Sequence, residues 1–264
     1  MKATLITGAS GGIGEVFARR LAADKHNLVL VARSEQKLHE LCDELMLKNQ
    51  ITAHYVALDL SVEDSEKRLF DETEKHGFEI DWLINNAGFG SMGDFAQLDS
   101  VRELSMIDLN VRSLVALTHL YLQKMRARKS GVIINVASTA SFQPIPFMAT
   151  YAATKAFVRS FSEAVAEENR LLGITVSALC PGPTETNFFA EANAHSLSAK
   201  GTQTPEAVVE TALRGVRSRR TQVISGWRNF IGARLVNIVP DFLIARVIGG
   251  VLRPEIAKRK GIAH

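Results

Sequence analysis

Short apolar runs alternate with longer stretches of helical periodicity over most of the chain. The run "ATLIT" at 3–7 precedes a predicted helix from about Gly12, and "NLVLVA" at 27–32 precedes one from about Ser34. Strands that alternate with helices are typical of a parallel sheet covered on both faces, because each parallel connection has room for a helix. The pattern therefore predicts an α/β fold built on a doubly wound parallel sheet.

The same rhythm continues along the chain and predicts about seven strands in all. Further helices are predicted from about Glu63, at about 100–128, and from Tyr151 to about Leu172. The later strands are predicted at 52–60, 79–88, 131–138, 174–182 and 221–226. Neither a repeat nor a low-complexity linker divides the sequence, so we expect one domain over 1–264.

Two segments depart from this rhythm. The stretch 185–203 is long, mixed and weakly periodic, which is typical of a functional connection, and we predict a substrate lid there. The last part of the chain, 227–264, is helical and apolar, and we expect it to pack over one end of the sheet or to form a subunit contact. A membrane-surface anchor, with Arg228, Arg234 and Arg246 facing lipid headgroups, is the less favoured alternative.

Composition excludes several classes of function. Hydrophobic residues make up 46% of the chain and charged residues 22%, close to the averages for globular proteins. The net charge of +3 is spread thinly, so we expect no nucleic-acid partner. Cys42 and Cys180 match no zinc spacing and build no disulfide framework, so we expect a reducing, cytoplasmic compartment and no metal. Charges and Pro240 interrupt the apolar stretch at 230–252, so it is not expected to span a membrane.

A glycine-rich turn follows the first predicted strand. The sequence "TLITGASGGIG" at 4–14 places Gly8, Gly11, Gly12 and Gly14 just before the first helix. Glycines allow a tight turn and let a pyrophosphate approach the N–H groups of a helix N-terminus. The spacing G-x-x-x-G-x-G is not the common G-x-G-x-x-G, and a plain chain reversal is the alternative. Its place after the first strand favours dinucleotide binding and a Rossmann-type sheet.

The end of the second strand bears on the choice of cofactor. Folds that bind NAD commonly carry an acid there to hold the ribose 2′-hydroxyl, whereas this chain has Ala32 followed by Arg33. An arginine can pair with a 2′-phosphate through its planar fork. We therefore favour NADP(H) over NAD(H), with a solvated surface role for Arg33 as the alternative.

Several motifs in one order resemble those of the short-chain dehydrogenases/reductases. They are the glycine turn, "ALDLS" with Asp59, "NNAG" at 85–88, "DLNVRSL" with Asn110, "NVASTAS" with Ser138, "YAATK" at 151–155 and "PGPTET" at 181–186. The resemblance runs from residue 3 to about 186. It implies an NAD(P)-dependent oxidoreductase of carbonyls and secondary alcohols whose catalytic tetrad is Asn110, Ser138, Tyr151 and Lys155. It also implies a homodimer or homotetramer built on the two long helices.

The resemblance extends the expected cofactor site beyond the glycine turn. It implies that Asp59 contacts the adenine, that 181–186 closes over the nicotinamide, and that Lys155 touches the nicotinamide ribose. The predicted cofactor-binding residues are Gly8, Ser10, Gly12, Ile13, Gly14, Arg33, Asp59, Leu60, Asn86, Ala87, Gly88, Tyr151, Lys155, Pro181, Gly182, Thr184 and Thr186.

The chemistry of the tetrad follows from the spacing of its members. Residues four apart on a helix lie on one face, about 5 to 6 Å apart, so Lys155 can hold its charge near Tyr151. A nearby cation favours phenolate, so we expect the Tyr151 pKa to fall below its usual value of about 10. Ser138, at the end of the fifth strand, can hydrogen-bond the same substrate oxygen. The resemblance assigns Asn110 to a water-linked proton relay behind Lys155.

Large apolar residues follow the predicted catalytic positions and suggest a hydrophobic pocket. They are Phe142, Phe147, Met148, Phe188 and Phe189. We expect a lipophilic small-molecule carbonyl or alcohol as substrate, such as a steroid, fatty-acyl or aromatic ketone, and favour reduction. The alternatives are an NAD-dependent alcohol or hydroxysteroid dehydrogenase and, in another class, a non-catalytic dinucleotide sensor or scaffold.

Overall fold

A parallel sheet forms the centre of the protein. The computed structural model describes residues 1–194, 202–236 and 238–259. The strands in these residues are β1 (Lys2–Thr7), β2 (Leu28–Ala32), β3 (Ala53–Ala57), β4 (Glu79–Asn85), β5 (Gly131–Val136), β6 (Ile174–Cys180) and β7 (Gln222–Ile224). Their order is β3-β2-β1-β4-β5-β6-β7 and all pairs are parallel. The predicted fold is confirmed.

Most helices that connect the strands lie near their predicted positions, whereas the helix at Pro205–Arg217 was not predicted. The helices among the described residues are α1 (Gly12–Ala23), α2 (Glu35–Asn49), α3 (Ser65–Lys75), α4 (Ser100–Ile107), α5 (Leu114–Arg128), α6 (Ala149–Asn169), α7 (Phe188–Glu191), α8 (Pro205–Arg217), α9 (Trp227–Val236) and α10 (Asp241–Arg259). The helix predicted at about 100–128 is α4 and α5 joined by a π-helical turn, Asp108–Ser113. Short 3₁₀ turns follow β4 and β5.

Helices cover the sheet on both faces because alternate strand residues point to opposite sides. Ile6 of β1 packs in one buried cluster with Phe17 of α1 and Leu213 of α8. Leu5, its neighbour along the strand, packs in a second cluster with Tyr121 of α5. Strands that are buried on both faces read as continuous apolar runs, which explains the sequence pattern.

The strand order reverses beside β1, which lies between β2 and β4. Thr7 pairs with Val31 of β2, and Ile6 pairs with Ile84 of β4. In doubly wound sheets ligands bind in the crevice outside the carboxyl ends of strands at such a switch point. The residues that follow β1, β4 and β5 therefore form the floor of the candidate site.

The C-terminal helices extend the fold beyond the sheet. Leu252 and Ile256 of α10 are buried in a third cluster together with Tyr151 of α6. This side of the predicted extension therefore packs over the site, while its other side is exposed. Parts of the predicted lid (195–201) and of the predicted extension (237 and 260–264) lie outside the described residues. Among the helices in the described ranges, none is long and apolar enough to cross a membrane.

Candidate active site

The glycine turn after β1 needs glycine for two separate reasons. Gly8 has φ +65°, a conformation that favours glycine, and a Cβ there would lie 2.8 Å from Nδ2 of Asn86. A Cβ at Gly14 would overlap the Gly8 carbonyl oxygen. The turn therefore presents bare backbone at the start of α1, which is the surface that a pyrophosphate requires.

The loop after β4 is fastened to this turn by hydrogen bonds. The Thr7 hydroxyl accepts from the backbone N–H groups of Asn86 (3.0 Å) and Ala87 (2.9 Å). The Asn86 side chain donates to the carbonyl groups of Thr7 (3.0 Å) and Gly8 (3.2 Å). These bonds hold Asn86, Ala87 and the start of α1 against each other, so this part of the predicted cofactor site is brought together.

The segment after β6 folds back onto the same turn. A Cβ at Gly12 would lie 3.1 Å from Cγ2 of Thr186, so the threonine lies directly over the turn. The Pro181 carbonyl accepts from Thr139 N–H at 2.8 Å, and the Thr184 hydroxyl donates to the Gly182 carbonyl at 2.9 Å. The predicted nicotinamide-side segment and the glycine turn therefore form opposite walls of one crevice.

Arg33 and Asp59 lie at the neighbouring ends of β2 and β3. Arg33 is exposed, while Leu60 is buried. Burial raises the pKa of Asp59, but hydrogen bonds from Ser61 (2.7 and 2.9 Å) and the charge of Arg33 outweigh it, so the net shift is downward. The Arg33 guanidinium is thus a solvent-facing cation at the strand end where a cofactor ribose would lie.

Tyr151 and Lys155 occupy the first turns of α6 and are almost fully buried, at 8% and 5% exposure. The Lys155 ammonium donates to the Val136 carbonyl at 2.8 Å and lies 5.9 Å from the centre of the Tyr151 ring. The end of β5 therefore positions the lysine, and the helix places the tyrosine beside it.

The expected fall in the Tyr151 pKa is wrong for this structure. Burial raises the pKa of Tyr151 to about 12, and the Ser138 hydroxyl only partly opposes that rise. Burial also lowers the pKa of Lys155 to about 8, partly opposed by Cys180. Removal from water disfavours both charged forms and outweighs the attraction between them. Tyr151 is consequently a protonated phenol at neutral pH.

Ser138 follows β5 in extended backbone, before a 3₁₀ turn at Thr139–Phe142. Its hydroxyl accepts from Ala140 N–H at 3.1 Å and lies near the Tyr151 phenol, whose pKa it lowers. Its carbonyl accepts from both the N–H (3.0 Å) and the hydroxyl (2.6 Å) of Ser141. The serine is thus fixed by local bonds with its hydroxyl at the tyrosine, as the sequence predicted.

Asn110 lies within the π-helical turn between α4 and α5 and is buried. Its side chain accepts from Phe89 N–H (3.1 Å) and donates to the Phe89 carbonyl (3.0 Å) and the Thr154 hydroxyl (3.1 Å). It therefore ties the loop after β4 to α6. A role in a water-linked relay stays a prediction.

Four of the five predicted pocket residues lie together. Phe188 packs on Tyr151 with ring centres 5.1 Å apart, and Phe189 lies 5.6 Å from Phe188. Phe147 and Met148 belong to the same apolar cluster. Phe142 instead packs in a different buried cluster with Ala233 of α9 and lies beneath the Arg159 guanidinium. The structure thus does not bring Phe142 to Tyr151.

Several residues of this cluster were not predicted. Met92 and Met106 come from the segment after β4 and from α4, and Leu252 and Ile256 come from α10. Ile248, Leu252 and Ile256 are spaced by four and form one helical stripe, a signal that was available in the sequence. We define the side of α10 that carries these three residues as its inner stripe.

Neither thiol is placed as a nucleophile, since Cys42 and Cys180 are buried and burial raises the pKa of each to about 12. Among the described residues, His54, Glu72 and His76 bring potential metal-ligand atoms within 4.8 Å of one another, at the β3 edge of the sheet. His76 and Glu72 are already hydrogen-bonded at 2.8 Å. The expected absence of a metal stays a prediction.

Comparison with known proteins gives consistent matches. A family profile described as short chain dehydrogenase matches residues 2–197. The chain is 32% identical over 234 residues to a very-long-chain 3-oxoacyl-CoA reductase of Macaca fascicularis, covering 84% of this chain and 73% of the relative.

Two solved structures are similar over almost their whole length. One is a short-chain dehydrogenase from Sphingobium yanoikuyae in complex with NADPH, with TM-score 0.81 and 30% identity over 89% of this chain and 94% of the other. The second is a 7beta-hydroxysteroid dehydrogenase, with TM-score 0.85 and 27% identity over 94% of this chain and 96% of the other. The residues built around Tyr151 thus sit in a fold that these proteins share.

Proposed function

Because the chain belongs to the short-chain dehydrogenase family, and is therefore an oxidoreductase that acts on CH–OH and C=O groups with NAD(P), we propose that it reduces lipophilic ketones with NADPH. The observation that carries the proposal is the apolar cluster around Tyr151, with the Phe188 ring 5.1 Å from the tyrosine ring. A protonated acid at the centre of an apolar pocket suits the reduction of a poorly water-soluble carbonyl.

The residues present fit a dinucleotide. The bare backbone at Gly8 and Gly14 and the start of α1 would hold the pyrophosphate, and Asp59 would approach the adenine. Arg33, exposed at the end of β2 where no acid stands, would pair with a 2′-phosphate. When bound, the nicotinamide supplies or accepts the hydride. The solved relative from Sphingobium yanoikuyae is described with NADPH, which supports this choice.

Tyr151 would donate the proton to the carbonyl oxygen of the substrate. Burial raises its pKa to about 12, so the phenol carries its proton at neutral pH and can serve as the acid in a reduction. Ser138, which lies near that phenol, would donate a second hydrogen bond to the same oxygen and orient the carbonyl. Lys155, held by the Val136 carbonyl, would reach the cofactor ribose and favour the phenolate that remains.

The pocket supports a bulky apolar substrate. Phe147, Met148, Phe188 and Phe189 share a cluster with Tyr151, and the inner stripe of α10 adds a further apolar wall. Such a lining favours substrates that bury hydrocarbon and disfavours sugars. The similarity to a very-long-chain 3-oxoacyl-CoA reductase and to a 7beta-hydroxysteroid dehydrogenase supports this substrate class. We infer that α7, which lies within the predicted lid at 185–203, covers the substrate.

A first experiment tests the cofactor. Fluorescence titration of the purified protein with NADPH and with NADH should give tighter binding of NADPH. In Arg33→Ala, NADPH affinity should fall by about tenfold or more, equivalent to about 1.4 kcal/mol, while NADH affinity stays constant. Arg170→Ala, an exposed arginine at the far end of α6, is the matched control. Tighter NADH binding, or no effect of Arg33→Ala, would favour the NAD-dependent alcohol dehydrogenase alternative.

A second experiment tests the substrate class. Initial rates with NADPH should be measured for a steroid ketone, a long-chain aliphatic ketone and a keto sugar. We expect kcat/KM to rise with apolar area and to fall for the lipophilic ketones in Phe188→Ser. A preference for the keto sugar would exclude the lipophilic assignment.

A further inference from the structure

The exposed side of the C-terminal helices carries an unusual amount of apolar surface. Ten large apolar side chains between Trp227 and Val251 are 40–79% exposed. They include a stripe on α9 (Trp227, Ile231, Leu235) and another on α10 (Leu243, Val247, Val251), each spaced by four residues. We call these two stripes together the outer face. Exposed apolar side chains in this number mark a binding surface for a protein or a membrane.

The other sides of both helices are anchored in the protein. Ala233 of α9 is buried in a cluster with Phe142, and Leu252 and Ile256 of α10 are buried in the cluster around Tyr151. Since successive helical residues are rotated by about 100°, Val247 and Leu252 point in different directions. The outer face is therefore presented by packed helices, and α10 separates it from the substrate cluster.

A basic groove adjoins the outer face beside β7. It encloses about 870 Å³ and is lined by Arg214, Arg219, Arg220 and Arg234, together with Phe230 of α9. In the described part of the chain, no carboxylate lies within ion-pair distance of Arg219, Arg220 or Arg234. Glu163 also lines the groove, where its carboxylate accepts a hydrogen bond from Gln222. Among the described residues that line it, the groove thus carries four arginines against one carboxylate at the edge of the apolar surface.

Arginines also lie among the apolar residues themselves. The Arg228 guanidinium stacks 5.3 Å above the Trp227 ring, and Arg234 lies 5.3 Å above the Phe230 ring. Guanidinium groups beside aromatic rings are typical of the headgroup level of a bilayer, where apolar stems are buried and charges stay hydrated. Residues 227–257 contain four arginines, at 228, 234, 246 and 253, and two acids, Asp241 and Glu255.

We propose that the outer face binds the surface of an anionic lipid bilayer, with the basic groove facing the lipid phosphates. A second copy of the chain fits less well, because a twofold contact would bring Arg234 and Arg246 of both copies into an apolar interface with few acids to pair them. A bilayer offers hydrocarbon to the stripes and phosphates to the arginines at the same time. The helices then lie on the membrane and do not cross it.

Binding of the outer face to a membrane would affect how the substrate reaches the site, a consequence that rests on the proposed function. The outer stripe of α10 faces the lipid while its inner stripe lines the cluster around Tyr151. A lipophilic ketone dissolved in the bilayer would reach the pocket along α10 without crossing water. Membrane binding itself depends only on the outer face and the groove.

Vesicle co-sedimentation of the full chain tests the proposal directly. The vesicles are phosphatidylcholine alone and an equimolar mixture of phosphatidylcholine and phosphatidylglycerol. We expect binding to the anionic vesicles that exceeds binding to the neutral ones and weakens with added salt. In Val247→Glu/Val251→Glu the partition coefficient should fall at least about tenfold. The matched control is Leu47→Glu/Leu171→Glu, whose residues are 87% and 83% exposed elsewhere on the surface.

A second variant isolates the charge. Arg219→Gln/Arg220→Gln should weaken binding to anionic vesicles and leave binding to neutral vesicles unchanged, whereas Arg170→Gln should change neither. Absence of vesicle binding, or equal binding by the Val247/Val251 variant and the wild type, overturns the proposal. A concentration-dependent dimer that the same variant dissociates, without vesicle binding, would assign the outer face to a second copy instead.

The proposed function is tested by a separate measurement that does not involve vesicles. NADPH binding and reduction of a water-soluble ketone in vesicle-free buffer should be the same in Val247→Glu/Val251→Glu as in the wild type, because neither side chain lies in the pocket. Vesicle binding without any ketone reduction would leave the membrane site standing and reject the proposed substrate class. Ketone reduction without vesicle binding would support the proposed function and reject the membrane site.

Discussion

Burial decides the protonation of the two central side chains, Tyr151 and Lys155. Their spacing on a helix was readable from the sequence, and so were their partnership with Ser138 and their place in the site. The direction in which the Tyr151 pKa shifts was not readable from the sequence. The spacing indicates a nearby charge but does not show how completely both groups are removed from water. The sequence also does not show against which element an apolar side chain packs. Phe142 was therefore predicted in the pocket, although it packs beneath Arg159.

The lysine gives a prediction about stability and pH. Its pKa of about 8 in the folded protein is below the usual 10.5, so between these values the unfolded chain binds more protons. The penalty for burying the ammonium is present below pH 8 and is relieved as the pH rises toward 10.5. Relative to Lys155→Met, the wild type should gain up to about 1.4 kcal/mol of unfolding free energy per pH unit in this window, measured by urea unfolding.

An exposed lysine supplies the control for that measurement. Lys37→Met removes a solvated ammonium from α2 and should give a constant difference from the wild type over the same pH range. Parallel curves for Lys155→Met would mean that the buried ammonium keeps an ordinary pKa.

The tyrosine gives a prediction about catalysis. Tyr151→Phe removes the acid and keeps the ring that packs on Phe188. The rate of ketone reduction should fall by about 10² or more, while NADPH affinity and thermal stability stay near those of the wild type. Single-turnover rates with saturating NADPH give the test, and a variant that keeps most of its rate would exclude Tyr151 as the proton donor.

At the scale of elements, the strands and most helices were predicted within a few residues, but α8 and the turn at Asp108–Ser113 were not. A π turn adds one residue to a helix, and the surrounding apolar periodicity hardly changes. The bonds that accompany it, from Asn110 to Phe89 and Thr154, join segments that are distant in sequence. Such tertiary hydrogen bonds are invisible in a local pattern, so the position of Asn110 followed only from the family resemblance.

The glycine turn allows a matched comparison within one element. A Cβ at Gly14 would overlap the Gly8 carbonyl and lie 2.6 Å from Nδ2 of Asn86, whereas a Cβ at Gly11 would meet nothing within 4 Å. Gly14→Ala should therefore destabilise the protein by about 1 to 3 kcal/mol, and Gly11→Ala should leave stability nearly unchanged. Thermal or urea unfolding without added cofactor measures both. Equal losses in the two variants would contradict the close packing at Gly14.

At the scale of the whole molecule, the alternation of elements was sufficient to predict a parallel sheet with helices on both faces. Which side of the C-terminal helices packs and which stays exposed could not be read as easily. Both stripes of α10, Leu243–Val247–Val251 and Ile248–Leu252–Ile256, are apolar and have the same spacing. Only the packing against the cluster around Tyr151 distinguishes them.

The family resemblance leads us to propose a homo-oligomer built on the long helices. Apolar side chains are exposed there too, at Val101 and Leu104 of α4 and at Phe157 of α6. In Val101→Glu/Leu104→Glu the molar mass in analytical ultracentrifugation should shift from a dimer or tetramer toward the monomer, since introduced charges would be buried unpaired. Leu47→Glu/Leu171→Glu should keep the wild-type mass, and an unchanged mass in the α4 variant would place the subunit contact elsewhere.

Backbone bonds between Pro183, Glu185 and Gln203 give the predicted lid a fixed base. Gln203 N–H donates to the Pro183 carbonyl and Glu185 N–H donates to the Gln203 carbonyl, both at 2.9 Å, so the two ends of the intervening segment are already joined. Doubling the length of a loop closed in this way costs only about 0.6 kcal/mol of entropy. If this segment is the lid that the sequence predicts, its length and residues can be exchanged to change the substrate range while Tyr151 and the glycine turn stay in place.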